Sequence, residues 1–282
     1  MLFEIKHVTK FSYTDPVFLE PHTIRLRPRC DVWQNLRDYQ MWVEPDPAGQ
    51  TDCIDVEGNS TTRMWFSGNH KSVSITTRSI VETLRPNPFD YVLDSESLVL
   101  PVEIGAEIAK SLFPYMNGYS FEDEVFKFGS AVSDQVNGMT LPFLSALTQR
   151  IHESLECFVR PEGDPWDPAV TLSNGRGACR DLAVLEMEAI RAAGLPARFV
   201  SGYRAGDPEA NDRELHAWVE VYLPGAGWRG YDPTTGLAVS DGHVALAAGS
   251  DARIAAPTSG SFRGTGVESS IWTSIDIQTI EG

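Results

Sequence analysis

The chain has no Cys-x-x-Cys pair: its four cysteines, Cys30, Cys53, Cys157 and Cys179, are scattered through 282 residues. That spacing argues against both a disulfide framework and a zinc cluster, and it fits a reducing cytoplasm. Basic residues are scarce, 23 Lys plus Arg against 39 Asp plus Glu, for a formal charge of −16. Phosphate backbones and anionic lipid surfaces are repelled overall by such a chain, so nucleic acid is not an expected partner. No run approaches the roughly 18 apolar residues that a membrane-spanning helix needs, and no membrane association is expected. The start, Met1-Leu2-Phe3-Glu4-Ile5-Lys6, alternates like a strand and has no basic segment leading into an apolar one, so it does not read as a signal peptide.

Phosphate and metal motifs are missing too. Gly175-Arg176-Gly177 lacks the further glycine, the lysine and the acidic partner of a phosphate loop. Asp52, Asp55 and Glu57 gather acidic oxygens near Asn59 without the glycine and the twelfth-position glutamate of a calcium loop. His152 and Cys157, five apart near the end of one expected helix, do not share a face and are read as structural. No metal and no cofactor is expected.

What remains is an ordinary soluble composition, 42% hydrophobic and 22% charged, able to bury a core without staples. The length fits two medium domains. Residues 1–84 carry period-two patterns rich in β-branched and aromatic residues, as in Leu36 to Val43 and Ser72 to Thr77. Gly58-Asn59 separates Cys53–Glu57 from Thr61–Phe66 and reads as a hairpin. A β-sandwich-like domain is expected there. Residues 85–101 hold three prolines and lose the strand rhythm, which marks a linker. Helical patterns follow over roughly 103–112, 121–136 and 141–156, so residues 102–282 are expected to form an α+β domain.

The clearest element of that half begins at Cys179. Leu182, Ala183, Leu185, Met187, Ala189, Ile190 and Ala193 give it a wide apolar face, and Gly194 with Pro196 beyond supply the stop. Ala197 to Tyr203 and Leu215 to Leu223 read as strands, the second with His216, Trp218, Glu220 and Tyr222 on one face. If the chain turns about Pro224, residues whose numbers sum to about 448 face each other, which sets His216 opposite Asp232. A cysteine at a helix start meets unpaired N–H groups and the positive dipole end that favour thiolate. An imidazole can take its proton and return it to a leaving amine, and a carboxylate can fix that imidazole.

Taken singly, such a cysteine is most often a small buried hydrophobe, such a histidine a packed residue, and Asp232-Pro233 a turn former. Together and in this order they point to a thiol acyl-transfer triad of Cys179, His216 and Asp232. The Cys179 backbone N–H is a natural oxyanion donor. Trp166, Asn174 and Trp218 are the candidates for further substrate or oxyanion contacts. His243, in Asp241-Gly242-His243-Val244, is read as structural or solvent-facing.

Gly177-Ala178-Cys179-Arg180-Asp181-Leu182-Ala183 and Gly194-Leu195-Pro196-Ala197-Arg198-Phe199-Val200-Ser201-Gly202-Tyr203 resemble the core of the transglutaminase-like superfamily. His216-Ala217-Trp218-Val219-Glu220-Val221-Tyr222, Gly227-Trp228 and Asp232-Pro233-Thr234 are similar to its histidine and aspartate segments, in the same order. Tyr13 to Val17, Arg25 to Arg29 and Asp55 to Asn59 resemble the β-rich N-terminal region of the bacterial branch, as does the tail from His243 through Gly249, Asp251 and Pro257 to Gly264. Leu182 and Val184-Leu185 depart from the Phe and the His-Leu pair of that pattern.

The resemblance implies a papain-like topology, with a cysteine-bearing helix packed on an antiparallel sheet. It implies Cys179 as nucleophile, His216 as general base and acid, and Asp232 as orienting carboxylate. The expected activity is cysteine-dependent acyl transfer on a peptide or glutamine-type amide through a thioester. Hydrolysis, as in a protease or amidase, is preferred to transfer onto an amine. A non-catalytic binding module on the same scaffold is the rival, which the intact triad disfavours.

Overall fold

The computed structural model describes residues 1–116, 123–206 and 215–280. The first two residues of the helix expected over 121–136 lie outside the described residues.

The N-terminal region is built from six strands, β1 (Leu2–Leu19), β2 (His22–Ile24), β3 (Gln34–Glu44), β4 (Gly49–Ile54), β5 (Ser60–Trp65) and β6 (Asn69–Thr83). Their period-two pattern is what buries alternate residues such as Phe3 and Ile5 on β1 and Val73, Ile75 and Val81 on β6. Strand β6 lies between β1 and β3, while β2 and β4 flank β5 in a second sheet. The expected hairpin is present as β4–β5, closed over residues 55–59 by Asp55, whose Oδ1 accepts the N–H groups of Glu57 and Asn59.

The second half begins with helices α1 (Ala106–Leu112), α2 (Glu124–Gln135) and α3 (Thr140–Ser154). A short strand β7 (Glu156–Cys157), helix α4 (Pro168–Asn174), strand β8 (Arg176–Gly177) and helix α5 (Cys179–Ala192) follow. Strands β9 (Ala197–Arg204), β10 (His216–Leu223), β11 (Gly227–Asp232), β12 (Leu237–Ala238) and β13 (His243–Gly249) form one antiparallel sheet in the order β12-β11-β10-β9-β13. Helix α5 lies against that sheet, and Leu182, Leu185, Met187 and Ile190 share one apolar core with Phe143, Leu144 and Leu147 of α3 and Val219, Val221 and Leu223 of β10. Each such side chain contributes about 1.5–3 kcal/mol on burial. The helix ends as its sequence predicts, with Gly194 N–H on Arg191 O and Leu195 N–H on Ile190 O, the paired bonds of a Schellman cap. The molecule is thus α+β, a β-rich N-terminal region followed by a cysteine-bearing helix on an antiparallel sheet.

The chain does not divide where the sequence pattern suggests. Strands β14 (Thr258–Ser259), β15 (Phe262–Arg263) and β16 (Ser269–Thr279), expected within the second domain, pair with β2 and β1 of the first. Strand β16 runs along β1 from Phe3↔Thr279 to Tyr13↔Ser269 and buries Ile275 and Ile277 in the N-terminal core. The physical reason is an edge: without β16, β1 would present a long row of unpaired backbone groups. Nor are residues 85–101 a free tether, since Tyr91, Leu93 and Leu100 pack on the core beneath α5.

The two halves share more than a crossing chain. Tyr203, Val244 and Leu246 of the second sheet belong to the N-terminal core. Strand β13, at one edge of its sheet, is met by side-chain amides from the first half. Gln34 donates to Ala245 O and accepts from Ala245 N–H, and Asn59 does the same with Ala248, over 2.7–2.9 Å. Those amides replace the missing neighbouring strand.

Candidate active site

Cys179 is the first residue of α5, and the segment before it fixes where its thiol sits. Asp181, with no exposed surface, reaches back from the third helical position: Oδ2 accepts the Ala178 N–H at 2.7 Å, and Oδ1 accepts the Trp166 N–H at 2.8 Å and Arg160 Nη2 at 2.5 Å. This is half of a capping box, Ala178 having no side-chain oxygen to complete it. Gly177 makes it possible, because a Cβ there would fall 2.8 Å from Asp181 Cβ and 3.1 Å from Thr171 Cγ2. Strand β8, which holds Gly177, pairs in parallel with β7 so that Cys157 lies opposite Gly177. The half-buried Cys179 thiol points toward the start of β10, with Leu215 O 3.8 Å from Sγ.

The β10–β11 ladder runs from Leu223↔Gly227 to Val219↔Tyr231, so the turn is centred on Gly225, not Pro224, and one further step sets Asp232 opposite Trp218. The register expected from the sequence is out by two residues. A slip of two keeps every side chain on its face, whereas a slip of one would not. His216 therefore meets Asp232 on the diagonal, with Nε2 2.8 Å from Oδ2. Asp232 also makes the turn its Asp-Pro sequence suggests: Oδ1 accepts the Thr234 N–H at 2.9 Å, and its carbonyl accepts the N–H groups of Thr235 and Gly236.

Burial opposes a charge on His216. The charge and hydrogen bond of Asp232, helped by a hydrogen bond with the Cys179 thiol, outweigh it and push the His216 pKa up to about 9. Burial likewise works against an ionised Asp232, but His216 first and His243 second hold its carboxyl well below the usual carboxylate range. His216 thus interacts with both the Cys179 thiol and the Asp232 carboxylate, and the carboxylate is sealed from water.

Two residues that the sequence pattern marks as structural belong to this neighbourhood. His243, at the start of β13, places Nε2 3.1 Å from Asp232 Oδ2. The closeness of the donor atoms of His216, Asp232 and His243, all within 4.8 Å of one another, is accounted for by these hydrogen bonds. Cys157 is close enough to Cys179 and Asp232 to feel their charges. Burial first, and then those two groups, push its thiol up to about 11. A sequence signal for His243 exists only once β13 is known to pair with β9, which sets His243 beside the end that carries His216.

The other sequence candidates are placed differently. Trp218 is 1% exposed, so it offers no surface to a substrate; it packs against His243 at 5.3 Å and His216 at 6.2 Å between ring centres. It lies over Gly202, where a Cβ would fall 2.5 Å from the indole and 2.2 Å from Val244 O. The Trp166 N–H is taken by Asp181, and its ring rests against Phe158 and the Arg160 guanidinium. Asn174 is the exposed last residue of α4. His152 packs against the Gly236 turn, and Asp55 holds its own hairpin loop and Arg25. Among the described residues no helix is long and apolar enough to cross a membrane.

Comparison with known proteins agrees with the geometry. Residues 3–82 match the bacterial transglutaminase-like N-terminal region, and residues 131–233 match the transglutaminase-like superfamily. An uncharacterised protein of Mycobacterium tuberculosis (strain ATCC 25618 / H37Rv) is 27% identical over 302 residues, covering 99% of this chain and 93% of that protein. A protein-glutamine gamma-glutamyltransferase of Pseudomonas aeruginosa is 33% identical over 110 residues, 36% of this chain and 16% of that protein. A crystal structure from Cytophaga hutchinsonii, described as a candidate cysteine protease, shares the fold with a TM-score of 0.73 at 21% identity, covering all of this chain and 92% of its own. With both regions matched in order and the cysteine-bearing helix and antiparallel sheet in place, the chain belongs to the transglutaminase-like superfamily, as a member with the bacterial N-terminal region.

Proposed function

We propose that the protein is a cysteine-dependent acyl-transfer enzyme that opens a peptide or glutamine-type amide through a thioester. What supports this reading is that His216 interacts with the Cys179 thiol and bonds the buried Asp232 over 2.8 Å. Cys179 Sγ attacks the amide carbonyl while its proton resides on His216. The Cys179 N–H, in the first turn of α5 where backbone donors have no helical acceptor, faces the developing oxyanion. His216 then gives the proton to the departing amine or ammonia, leaving the acyl group on sulfur. Asp232 keeps the imidazole in the tautomer and orientation that these steps need.

Water as acceptor gives hydrolysis, the reading preferred here; an amine gives transamidation. The limited likeness to a protein-glutamine gamma-glutamyltransferase supports glutamine as the acyl donor and keeps transfer as the second reading. The four free thiols and the strong net negative charge support a reducing, cytoplasmic setting and a protein or peptide partner rather than nucleic acid. The test is mass spectrometry of glutamine-containing peptides incubated with the enzyme, with and without a primary amine. Cleaved or deamidated products that persist when amine is present support hydrolysis, and amine adducts support transfer. No product from wild type beyond that of Cys179→Ala, across a peptide library, would remove the proposal.

A further inference from the structure

His243 is left over from the proposed triad, yet it reaches the oxygen that His216 uses. Its Nε2 is 3.1 Å from Asp232 Oδ2, and the His216 Nε2 is 2.8 Å from the same atom, while Oδ1 is occupied by the Thr234 N–H. An ionised carboxylate only accepts, so both imidazoles donate from Nε2. The other nitrogen of His243, Nδ1, is buried with no partner among the described residues. The ring is wedged against Trp218, and Arg204 stands directly opposite it on β9. His243 is therefore placed as a hydrogen-bond donor to the carboxylate.

We propose that His243 is a positioning residue for the Cys179–His216 chemistry: it holds the Asp232 carboxylate toward His216 and draws off part of its negative charge, so that the His216 imidazolium can still release its proton to a leaving amine. The inference rests on the reading of Cys179, His216 and Asp232 as an acyl-transfer unit. A buried carboxylate facing one imidazole alone binds that proton tightly, and an acid that holds its proton too firmly is a poor catalyst. A second donor on the same oxygen, 3.1 Å away, shares the carboxylate and weakens its pull on the His216 proton. The other charged or titratable groups around the pair are Cys179 and Glu186 on α5, Cys157 on β7 and Arg204 on β9.

The test uses the full chain and needs no substrate. The His216 ring is titrated by ¹H–¹⁵N NMR, and the rate of Cys179 alkylation by iodoacetamide is followed against pH, in wild type, His243→Phe, His243→Leu, His243→Gln and Asp232→Asn. Thermal melting identifies which of the two non-donor variants keeps the native transition. In that variant His216 is expected to titrate roughly half to one pH unit higher than in wild type, because Asp232 then faces it alone. His243→Gln, which keeps an N–H donor, is expected to restore the wild-type value. Asp232→Asn is expected to move His216 the opposite way, toward the ordinary imidazole value near 6.5, and to slow alkylation at least tenfold. A His216 titration that stays at its wild-type value in the non-donor variants, or that falls with them, overturns the proposal while leaving the triad intact. If Asp232→Asn changes neither the titration nor the alkylation, the triad reading fails first and this inference with it.

Discussion

Asp232 and Glu186 are both carboxylates without exposed surface, one at the end of β11 and one two turns along α5 from Cys179, and the protein holds them in opposite charge states. Asp232 accepts from His216, His243 and the Thr234 N–H, so its negative charge is fully met. Among the described residues Glu186 has one hydrogen-bond partner, the Thr148 hydroxyl, 2.5 Å from Oε1, and its Oε2 has none. That hydroxyl has a single hydrogen, and Leu144 O, 2.7 Å away, can only accept it. That one hydrogen is shared between Leu144 O and Glu186 Oε1, so Glu186 receives only part of a donor. Burial, which Thr148 only partly offsets, correspondingly pushes the Glu186 pKa up to about 8. Depth inside the protein is the same for both; the number of donors aimed at the oxygens decides which one is ionised and can orient the His216 imidazole.

The comparison can be broken most directly by neutralising each carboxylate in turn. Asp232→Asn is expected to lower turnover by about 10²–10⁴-fold, since the imidazole loses both its tautomer and its counter-charge. Glu186→Gln is expected to stay within about threefold of wild type, because Gln replaces a neutral group with a neutral donor. Equal losses in the two variants, measured on the same amide substrate, would show that donor count does not separate their roles.

Stability against pH sharpens the contrast. Unfolded, Glu186 titrates near 4.5 and folded near 8, so the folded state holds the extra proton between those values and stability falls as pH rises through that window. Glu186→Gln has no proton to lose and is expected to flatten that slope and to gain a few kcal/mol at pH 8, read from urea unfolding at pH 5 and pH 8. The His216–Asp232 contribution behaves differently. It is present in full between the ordinary carboxylate range and about 6.5, weakens at lower pH as Asp232 takes up its proton, and is lost as pH rises through about 9; it is expected to disappear in Asp232→Asn and not in Glu186→Gln. A Glu186→Gln profile parallel to wild type would mean that Glu186 is ionised after all.

Smaller effects test the support beneath Asp232. Gly202→Ala forces a Cβ against Val244 O and the Trp218 ring, and is expected to cost about 1–3 kcal/mol and to slow Cys179 alkylation by loosening the floor under both imidazoles. A variant with wild-type melting temperature and alkylation rate would mean that Trp218 does not hold them. The smallest effect is expected from Cys157→Ser: with its thiol pushed up to about 11, Cys157 remains protonated at neutral pH and its removal is expected to leave the Cys179 labelling rate unchanged.

The parts of this site that lie close together along the chain are legible in the sequence itself. The apolar face and stop signals of α5 place Cys179 at a helix start, and the Asp-Pro turn places Asp232 at a strand end. The register is readable only to within its period of two, because alternation fixes the face of a residue and leaves its exact opposite number to the turn, here centred on Gly225. What is not legible depends on pairing between distant segments. Ile271, Ile275 and Ile277 repeat the alternation of the first 84 residues, yet nothing local says that their strand returns to β1. His243 looks like an isolated loop histidine until β13 is laid beside β9. Trp218 shows the converse error: sharing a face with His216 suggests substrate contact, and the structure makes it the packing beneath the imidazoles.

The central claim is that Cys179, through His216 and Asp232, is an activated nucleophile, and brief iodoacetamide labelling at about pH 6 with peptide mass spectrometry, on wild type and His216→Ala, tests it most directly. A free thiol with its pKa near 8.5 is only about 0.3% thiolate at that pH, so fast labelling of one cysteine reports activation at that site. The expected result is that Cys179 alone labels rapidly in the wild type and slows markedly in His216→Ala. An inert Cys179 beside equal or faster labelling of Cys30, Cys53 or Cys157 would contradict the account.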